Sequence, residues 1–411
     1  MGRQSARLLH NKKDHKDIFY NGNYHKQMWI TDAEGNPTLM WEKLTDNAFE
    51  IIVSDTMYSL DGNPSTEEEY PAGTIALNIR CGETVIIDWG DGTKTNHLGS
   101  IIAHTYPTNN DTEYKVRIIG NMLDFRGSWG RNSDSCLLEI VSPLPWFSEF
   151  DITGSIDFSQ FFWRCGRLRK IPINLFENYR NLEEGTVVNV DNMFWYTSID
   201  EFLPGILFGL ELGSYANMFA NTKIKIVPPA AFVGVKFPPG GGSDIFRGCD
   251  IEEIYDWVSG GAAGNFSGFP NLNTINVTLS GVVNFERAFS GLKKLKTVSE
   301  YLFDGCENAT SFKHAFSDSG ITKIPEKLFK KCTEVKNFEN CFSNCEELTD
   351  VPETIFDNCN KVESFNFCFW GDTKITSKVP ELWNRQNVVG SNCYEYCFNA
   401  QNYNDIPDSW K

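Results

Sequence analysis

The sequence lacks two features that would place the chain in a membrane or on nucleic acid. It has no run of about 18 or more apolar residues, so no segment is expected to span a bilayer. Basic residues are in deficit, since 37 Lys and Arg against 54 Asp and Glu give a formal net charge of −17. Nucleic-acid binders present a basic surface to the phosphate backbone, so a nucleic-acid partner is not expected.

Targeting signals are also missing at the N-terminus. Arg3 and Arg7 are not followed by an apolar segment, so the opening residues do not predict a secretory signal peptide. A myristoylation site is not expected either, because position 6 is Ala rather than Ser or Thr. We therefore expect folding inside a cell, or removal of a signal that preceded these residues.

Motifs of catalysis are scarce. There is no Gly-x-Ser-x-Gly elbow and no Cys-x-x-Cys pair, and the glycine run 240–242 is not followed by the Lys of a phosphate-binding loop. The six His residues are scattered; His104 belongs to a turn motif described below, and His314 is expected on a repeat surface. The pair Glu346 and Glu347 is expected in a solvated turn. The sequence thus predicts no enzyme, no cofactor and no metal site.

What the sequence does contain is an internal repeat. Phe residues recur about every 27 residues over the last two-thirds of the chain, and a second aromatic mark follows each of them in phase. Such a period indicates a solenoid, in which stacked units share one continuous core and present an extended surface. Recognition is therefore expected rather than catalysis. The repeating residues are Phe162, Phe194, Phe219, Phe246, Phe289, Phe316, Phe342, Phe369 and Phe398.

Most of the 12 Cys residues follow the same period, as Cys306, Cys332 and Cys359 do. Equivalent residues of a solenoid stack on one another, and a free Cys in such a stack acts as a small buried hydrophobic side chain. Disulfides between neighbouring units are the alternative. A zinc set is not expected, because no His lies near these Cys residues in the sequence.

The chain before the repeat divides into three segments. Residues 1–48 form a polar leader whose aromatics alternate with turn residues, which suits short hairpins in either a flexible tail or a docking arm. Residues 49–127 contain short runs of alternating apolar and polar residues, which predict a small β-sandwich. Residues 128–134 are expected to be a linker, and the repeat occupies 135–411.

A turn motif joins two of the strands expected in 49–127. It reads Trp89-Gly-Asp91-Gly-Thr and is followed by His104-Thr-Tyr106. This pattern resembles the PKD-type β-sandwich, a module that usually serves as a spacer or adhesive unit of extracellular proteins. Asp91 is expected to bond the backbone of its own turn. Calcium binding by Asp88 and Asp91 is left open, although calcium prefers about six or more oxygen ligands.

The best units of the repeat have three parts. They read Phe-x-x-Cys/Ala-Phe, then Leu-x-x-Ile/Val-Pro, then Leu-Phe-x-x-Cys, as in residues 338–362. This pattern resembles the BspA-like leucine-rich repeats of bacterial surface proteins and their phage-encoded relatives. The resemblance implies a mainly β chain, with a small PKD-like β-sandwich followed by a leucine-rich-repeat solenoid of about nine units. The pattern degrades in the segment 233–284.

Aromatic residues beside the repeating Phe residues are candidates for ligand binding. Neighbouring positions of a strand point to opposite faces, so an aromatic that follows a core Phe is expected at the surface. Exposed rings can stack on sugars or anchor a protein partner, and the alternative is packing inside an irregular unit. The candidates after ladder Phe residues are Trp163, Trp195, Tyr196 and Trp370, and those from the aromatic-rich last units are Tyr394 and Tyr403.

These observations favour a non-enzymatic recognition protein. The hypothesis is a phage or prophage tail component, located in the virion, that binds a bacterial cell-surface protein or glycan. Residues 1–48 would attach it to other virion proteins, and homo-oligomerisation is left open. One alternative is a bacterial surface adhesin that lacks its export signal. The other is a polysaccharide-active enzyme with its site in the segment 233–284.

Overall fold

The chain is mainly β and has almost no helix. The computed structural model describes residues 48–56, 73–108, 110–126, 136–147, 149–150, 156–238, 245–257 and 266–411, and the strand backbone alone at 5–6, 18–20, 27–31, 37–42, 57–58 and 135. Three short 3-10 helices are Glu177–Tyr179, Leu382–Asn384 and Tyr403–Asp405. Within these residues no helix is long and apolar enough to cross a membrane. The predicted linker 128–134 lies outside the described residues.

The chain groups into two compact units. Unit 1 comprises residues 1–155 and 165–180, and unit 2 comprises residues 156–164 and 181–411. The leader contributes a four-stranded antiparallel sheet to unit 1, in which each strand pairs with the next, as expected of consecutive hairpins. Its strands are β1 (Ser5–Ala6), β2 (Ile18–Tyr20), β3 (Gln27–Thr31) and β4 (Pro37–Glu42).

The rest of unit 1 is built on a six-stranded sheet with the strand order β10-β5-β8-β6-β7, and β9 also pairs with β6. Alternation of apolar residues buries one face, where Ile51 lies opposite Val116 and Phe49 lies opposite Ile118. The strands are β5 (Ala48–Tyr58), β6 (Thr74–Asp88), β7 (Lys94–Thr105), β8 (Glu113–Ile119), β9 (Asp124–Arg126) and β10 (Ser135–Ile140).

Irregular pairing in β6 explains why one sheet is found where two facing sheets are expected of a sandwich. The strand changes register twice between Asn78 and Val85. Its first half pairs with β9 and its second half with β8, while β7 pairs with both halves. Among the described residues, the hydrogen bonds therefore connect all six strands in a single sheet.

The turn after β6 is held by its own side chains, as predicted. Asp91 Oδ1 accepts a hydrogen bond from Thr93 N at 2.9 Å, and Asp91 Oδ2 lies 2.8 Å from His104 Nε2. The Trp89 ring stacks on the His104 ring at 4.4 Å. The carboxylate of Asp91 is therefore engaged by protein groups.

Unit 2 contains short parallel strands. They form the sheets β11-β12-β13 and β14-β15-β16-β17, and after residue 298 isolated parallel bridges such as Lys323 with Asp350 link successive repeats. Within the described residues these contacts do not make the continuous strand ladder expected of a solenoid. The strands are β11 (Ile156–Asp157), β12 (Val188–Asn189), β13 (Leu212–Ser214), β14 (Ile226–Val227), β15 (Glu253–Ile254), β16 (Thr274–Ile275) and β17 (Thr297–Val298).

The Phe-x-x-x-Phe segments are runs of turns rather than strands or helices. In 338–345, Asn340 and Asn344 adopt positive φ values of 54° and 58°. Asn tolerates this left-handed conformation because its short side chain can bond nearby backbone. Alternate N–H groups, including those of Phe338 and Phe342, donate to carbonyls of the next repeat at 2.9 Å. Backbone groups are thus paired between repeats without a regular strand.

A ladder of stacked rings runs through the repeats of unit 2. Among neighbouring rings of the ladder that are in contact, the centroids lie 4.8 to 6.1 Å apart. Two further rows of buried Phe rings pack edge-to-face against each other beside its C-terminal half. The ladder rings in the described residues are Phe162, Phe194, Phe219, Phe246, Phe266, Phe289, Phe316, Phe342, Phe369 and Tyr394.

Two positions of this ladder differ from the prediction. Phe266 stacks on Phe289 at 5.0 Å, so the segment 233–284, where the repeat pattern degrades, contributes a ladder ring that the sequence pattern did not predict. Tyr394, and not Phe398, stacks on Phe369, at 5.6 Å. Phe398 is 60% exposed, so its assignment to the core is wrong.

All 12 Cys residues are buried free thiols, as predicted. Several donate to backbone carbonyls, for example Cys345 to Phe316 O at 3.1 Å and Cys397 to Phe369 O at 3.1 Å. Burial raises the pKa of both thiols well above the usual range. They therefore pack as neutral side chains.

Candidate functional site: two aromatic clusters

The position that directly follows a ladder ring holds Ala or Ser in most central repeats and Arg247 in one of them, but it holds Trp at three positions nearer the two ends of the ladder. It holds Ser317 and Ser343 in the centre, and both of these side chains are buried. In the outer repeats it holds Trp163, Trp195 and Trp370, which are half-buried. An indole is too large for the space that covers a serine, so these rings extend to the surface of unit 2.

Four residues form what we call the N-terminal aromatic cluster: Trp163, Arg164, Trp195 and Tyr196. The two indoles stack at 5.7 Å with an angle of 12° between their planes. Tyr196 meets the Trp195 ring edge-on at 4.5 Å and is 43% exposed. The Arg164 guanidinium lies 4.8 Å from the Trp163 centroid and 5.9 Å from the Trp195 centroid, within cation–π range.

Backbone geometry fixes this cluster. Arg164 and Tyr196 both occupy the second left-handed position of their repeats, with φ values of 60° and 58°. Arg164 N donates to Trp195 O at 2.7 Å, and Tyr196 N donates to Ala220 O at 3.1 Å. Left-handed backbone is uncommon for such large residues. Its presence twice in one cluster shows that the inter-repeat hydrogen bonds determine where these side chains project.

Four other residues form the C-terminal aromatic cluster: Trp370, Tyr396, Phe398 and Tyr403. Their rings make a chain of edge-to-face contacts, with centroids 5.7, 5.9 and 5.5 Å apart in that order. Tyr396 and Phe398 are 41% and 60% exposed. Trp370 Nε1 donates to Glu395 Oε2 at 2.9 Å, which fixes the orientation of the indole.

Tyr394 does not belong to this surface. Its side chain is fully buried as the last ring of the ladder, and its hydroxyl donates to Pro380 O at 2.6 Å. Burial raises the pKa of the phenol well above the usual range. Tyr394 is therefore a core residue, and its prediction as a ligand-binding residue is wrong.

The structure brings the other predicted residues together in two groups. Trp163, Trp195 and Tyr196 are in the N-terminal aromatic cluster, and Trp370 and Tyr403 are in the C-terminal one. Sequence reasoning missed three members, Arg164, Tyr396 and Phe398. The sequence contained a signal for Tyr396 and Phe398. Aligning Cys393-Tyr394 with Cys368-Phe369 assigns the ladder position to Tyr394, so both of these aromatics fall outside the ladder.

Chemically, both clusters offer rings that can pack on apolar faces of a ligand. The C–H groups on one face of a sugar carry partial positive charge and are attracted to the negative face of an aromatic ring. The N-terminal aromatic cluster adds a cation at Arg164. The C-terminal one adds the carboxylate of Glu395 beside Trp370, and the ammonium of Lys411 lies 5.1 Å from the Tyr403 centroid and 3.6 Å from Asp408 Oδ1. The two clusters therefore present different arrangements of charge to a ligand.

Other groups with titratable chemistry have structural roles. Asp256 lies in the segment 233–284, and burial raises its pKa. Its carboxylate oxygens accept hydrogen bonds from Phe232 N and Trp257 N, both at 2.9 Å, which holds the local loop. The pKa of His314 is lowered by burial and by the nearby cations Arg287 and Lys313. In the described part of the chain, no group of three or more His, Cys, Asp or Glu is placed to hold a metal ion.

Comparisons with known proteins add little. No family model matches the chain, and no curated protein matches it significantly. Among solved structures, the chain is similar to a plant peptide hormone receptor, RGFR1 in complex with RGF2, with 13% identity and a TM-score of 0.17. The match covers 55% of this chain and 43% of the receptor chain. This similarity is too weak to assign a fold or a ligand.

Proposed function

We propose that the chain is a non-enzymatic recognition protein, a phage or prophage tail component that binds a bacterial surface protein or glycan through its two aromatic clusters. In this proposal the stacked repeats are a leucine-rich-repeat solenoid similar to the BspA-like repeats, joined by turns and short bridges. Residues 49–127 are a PKD-like spacer. Residues 1–48 attach the chain to other virion proteins.

The observation that carries the proposal is where the large aromatics occur. In the central repeats of unit 2 the residue after the ladder ring is small or polar, as Ser317 and Ser343 are. Towards both ends of the ladder this residue is Trp, at positions 163, 195 and 370. Rings at these positions add nothing to the ladder, whose own rings are already buried. Exposed aromatics beside a buried core are the residues that most often supply binding energy at interfaces.

The pairing of surface carboxylates in unit 2 supports a structural rather than a catalytic role for these groups. Carboxylates pair with lysines one repeat away, as Lys374 does with Glu347 at 2.8 Å and Lys361 with Glu334 at 2.6 Å. The hydrogen bond from Lys374 Nζ lowers the pKa of Glu347 below the ordinary value. A general acid in a glycosidase needs the opposite shift, because it must stay protonated near neutral pH.

The proposal is tested by measuring binding of fluorescently labelled full-length protein to a panel of bacterial cells. The test variant is Trp195→Ser with Tyr196→Asn, which copies Ser343 and Asn344 at the equivalent positions. The control is Tyr301→Asn, since Tyr301 is 49% exposed outside both clusters. We expect the wild type and the control to bind at least one strain and the double variant to bind it at least about tenfold more weakly.

Two results would count against the proposal. If the wild-type protein binds no strain, the recognition function is unsupported. If the double variant and the wild type bind alike, recognition uses another surface. A surface adhesin is the alternative source of the same binding activity, and detection of the protein in purified virions rather than on producing cells distinguishes the two.

A further inference from the structure

The C-terminal aromatic cluster lies at positions that are polar or small in the preceding repeats. Tyr396 occupies the second left-handed position, with φ 72°, where Asp318 and Asn344 stand in earlier repeats. Phe398 occupies a position held by exposed polar residues, including Glu346 and Thr373. Two aromatic rings therefore replace polar side chains at the surface of the last repeat.

The main chain of this repeat also offers hydrogen-bond donors. In the preceding repeat, Phe367 N and Gly371 N donate to carbonyls of the next repeat at 3.0 Å. The equivalent N–H groups belong to Asn392 and Tyr396, and neither has a hydrogen-bond partner among the described residues. Tyr396 carries one of the exposed rings, and the side chain of Asn392 donates to Glu395 of the same repeat at 2.8 Å.

A carboxylate completes the cluster. Glu395 Oε2 accepts hydrogen bonds from Trp370 Nε1 at 2.9 Å and from Asn392 Nδ2 at 2.8 Å, so the side chain is fixed among the rings. A hydrogen bond to this carboxylate raises the pKa of Tyr396. A fixed negative charge disfavours anionic ligands and can accept hydrogen bonds from hydroxyl groups.

The surroundings fit a glycan better than a folded protein partner. A stable protein interface buries about 800 Å² on each side around a dry apolar centre. Here the exposed residues that flank Phe398 and Tyr403 in the chain, such as Asn399, Gln401 and Asn404, are polar, and Lys411 Nζ lies 5.1 Å from the Tyr403 centroid. A surface that alternates rings with fixed donors and acceptors suits a ligand with both C–H faces and hydroxyl groups.

We propose that the C-terminal aromatic cluster binds an uncharged sugar unit of a glycan. A C–H face of the sugar packs on Tyr396 or Phe398. Its oxygen atoms accept hydrogen bonds from Asn392 N and Tyr396 N, and a hydroxyl donates to the Glu395 carboxylate. This assignment rests on the proposed recognition function, for which it names the ligand class at one of the two clusters.

The test uses the full-length protein and defined probes. The neutral probes are oligomers of glucose, mannose, galactose and N-acetylglucosamine, and oligogalacturonate is the acidic probe; titration calorimetry measures the affinities. The test variant is Tyr396→Asn with Phe398→Thr, which copies Asn344 and Thr373, so folding should be retained. Tyr301→Asn is the control.

We expect at least one neutral oligomer to bind the wild type and the control, with affinity at least about tenfold lower for the double variant. Oligogalacturonate should bind more weakly than that oligomer. The proposal is overturned if no neutral oligomer binds, if the double variant binds as the wild type does, or if the acidic probe binds most tightly.

Cell binding separates this assignment from the broader proposal. If cells bind the protein but binding survives periodate oxidation of their glycans and is lost after protease treatment, the partner is a protein and the sugar assignment fails while recognition stands. If no strain binds but a neutral oligomer does, recognition of bacteria fails and the sugar site stands.

Discussion

The buried carboxyl of Asp372 should make the stability of the folded protein depend on pH. Its side chain is fully buried in unit 2. One carboxyl oxygen, Oδ1, accepts a hydrogen bond from Cys345 N at 2.7 Å, and the other has no hydrogen-bond partner among the described residues. Burial raises the pKa of this carboxyl well above its ordinary value of 3.8, despite the opposing effect of the Cys345 N–H. The folded protein therefore favours the neutral acid.

The sign of the pH dependence follows from this shift. Below the ordinary pKa of 3.8 the carboxyl is protonated in both the folded and the unfolded chain, so its contribution to stability is fully present. As pH rises toward the native pKa, only the unfolded chain releases its proton, and the free energy of unfolding falls by about 1.4 kcal/mol per pH unit. The loss ends once pH exceeds the native pKa.

Asp372→Asn removes this titration and keeps an oxygen to accept the Cys345 N–H. We predict that the free energy of unfolding of the variant, minus that of the wild type, increases by about 1.4 kcal/mol per pH unit from about pH 4 upward. Urea titrations at several pH values measure this difference, and Asp357→Asn, at an exposed position, is the control for removing one charge. A difference that stays constant with pH would refute the reasoning.

Three further predictions concern packing and conformation. Gly371→Ala should destabilise by about 1–3 kcal/mol, measured by urea unfolding, because residue 371 has φ +83° and a Cβ would lie 2.5 Å from Asn344 Oδ1; an unchanged midpoint would contradict this. Phe329→Ala should cost about 3–5 kcal/mol by the same assay, since the buried ring packs edge-to-face on Phe312 and Phe338 at 4.8 and 4.9 Å; Phe329→Leu should cost less. The Cys thiols should react with Ellman's reagent only when the protein unfolds, because all of them are buried and burial raises the pKa of the Cys306 thiol to about 11. Rapid reaction of the native protein would contradict their burial.

The repeat could be predicted from sequence because its core depends on residue type at a fixed period. Buried Phe and Cys residues recur wherever repeats stack, so the spacing of these residues along the chain reveals the period. The period could not resolve positions where another aromatic substitutes for Phe. Tyr394 fills a ladder position because Pro380 O accepts its hydroxyl, and this partner is not visible in the local sequence.

Other features depend on backbone pairing that periodicity does not encode. Register shifts near Cys81 divide β6 into two halves. The first half pairs with β9 and the second half pairs with β8, so one strand has both of them as neighbours. Alternation along a strand would place Tyr196, two residues after the buried Phe194, on the core side, yet Tyr196 is 43% exposed. Its side chain projects because residue 196 has a left-handed backbone, not because it lies on a strand.

The most direct test of the central claim is hydroxyl-radical footprinting of the full-length protein, free and bound to a strain that it recognises. The account predicts reduced oxidation of Trp195 and Tyr196 in the N-terminal aromatic cluster and of Phe398 in the C-terminal one. Tyr301, exposed outside both clusters, should be oxidised equally in the two states. Protection confined to residues outside the clusters, with Trp195 and Phe398 unchanged, would contradict the account.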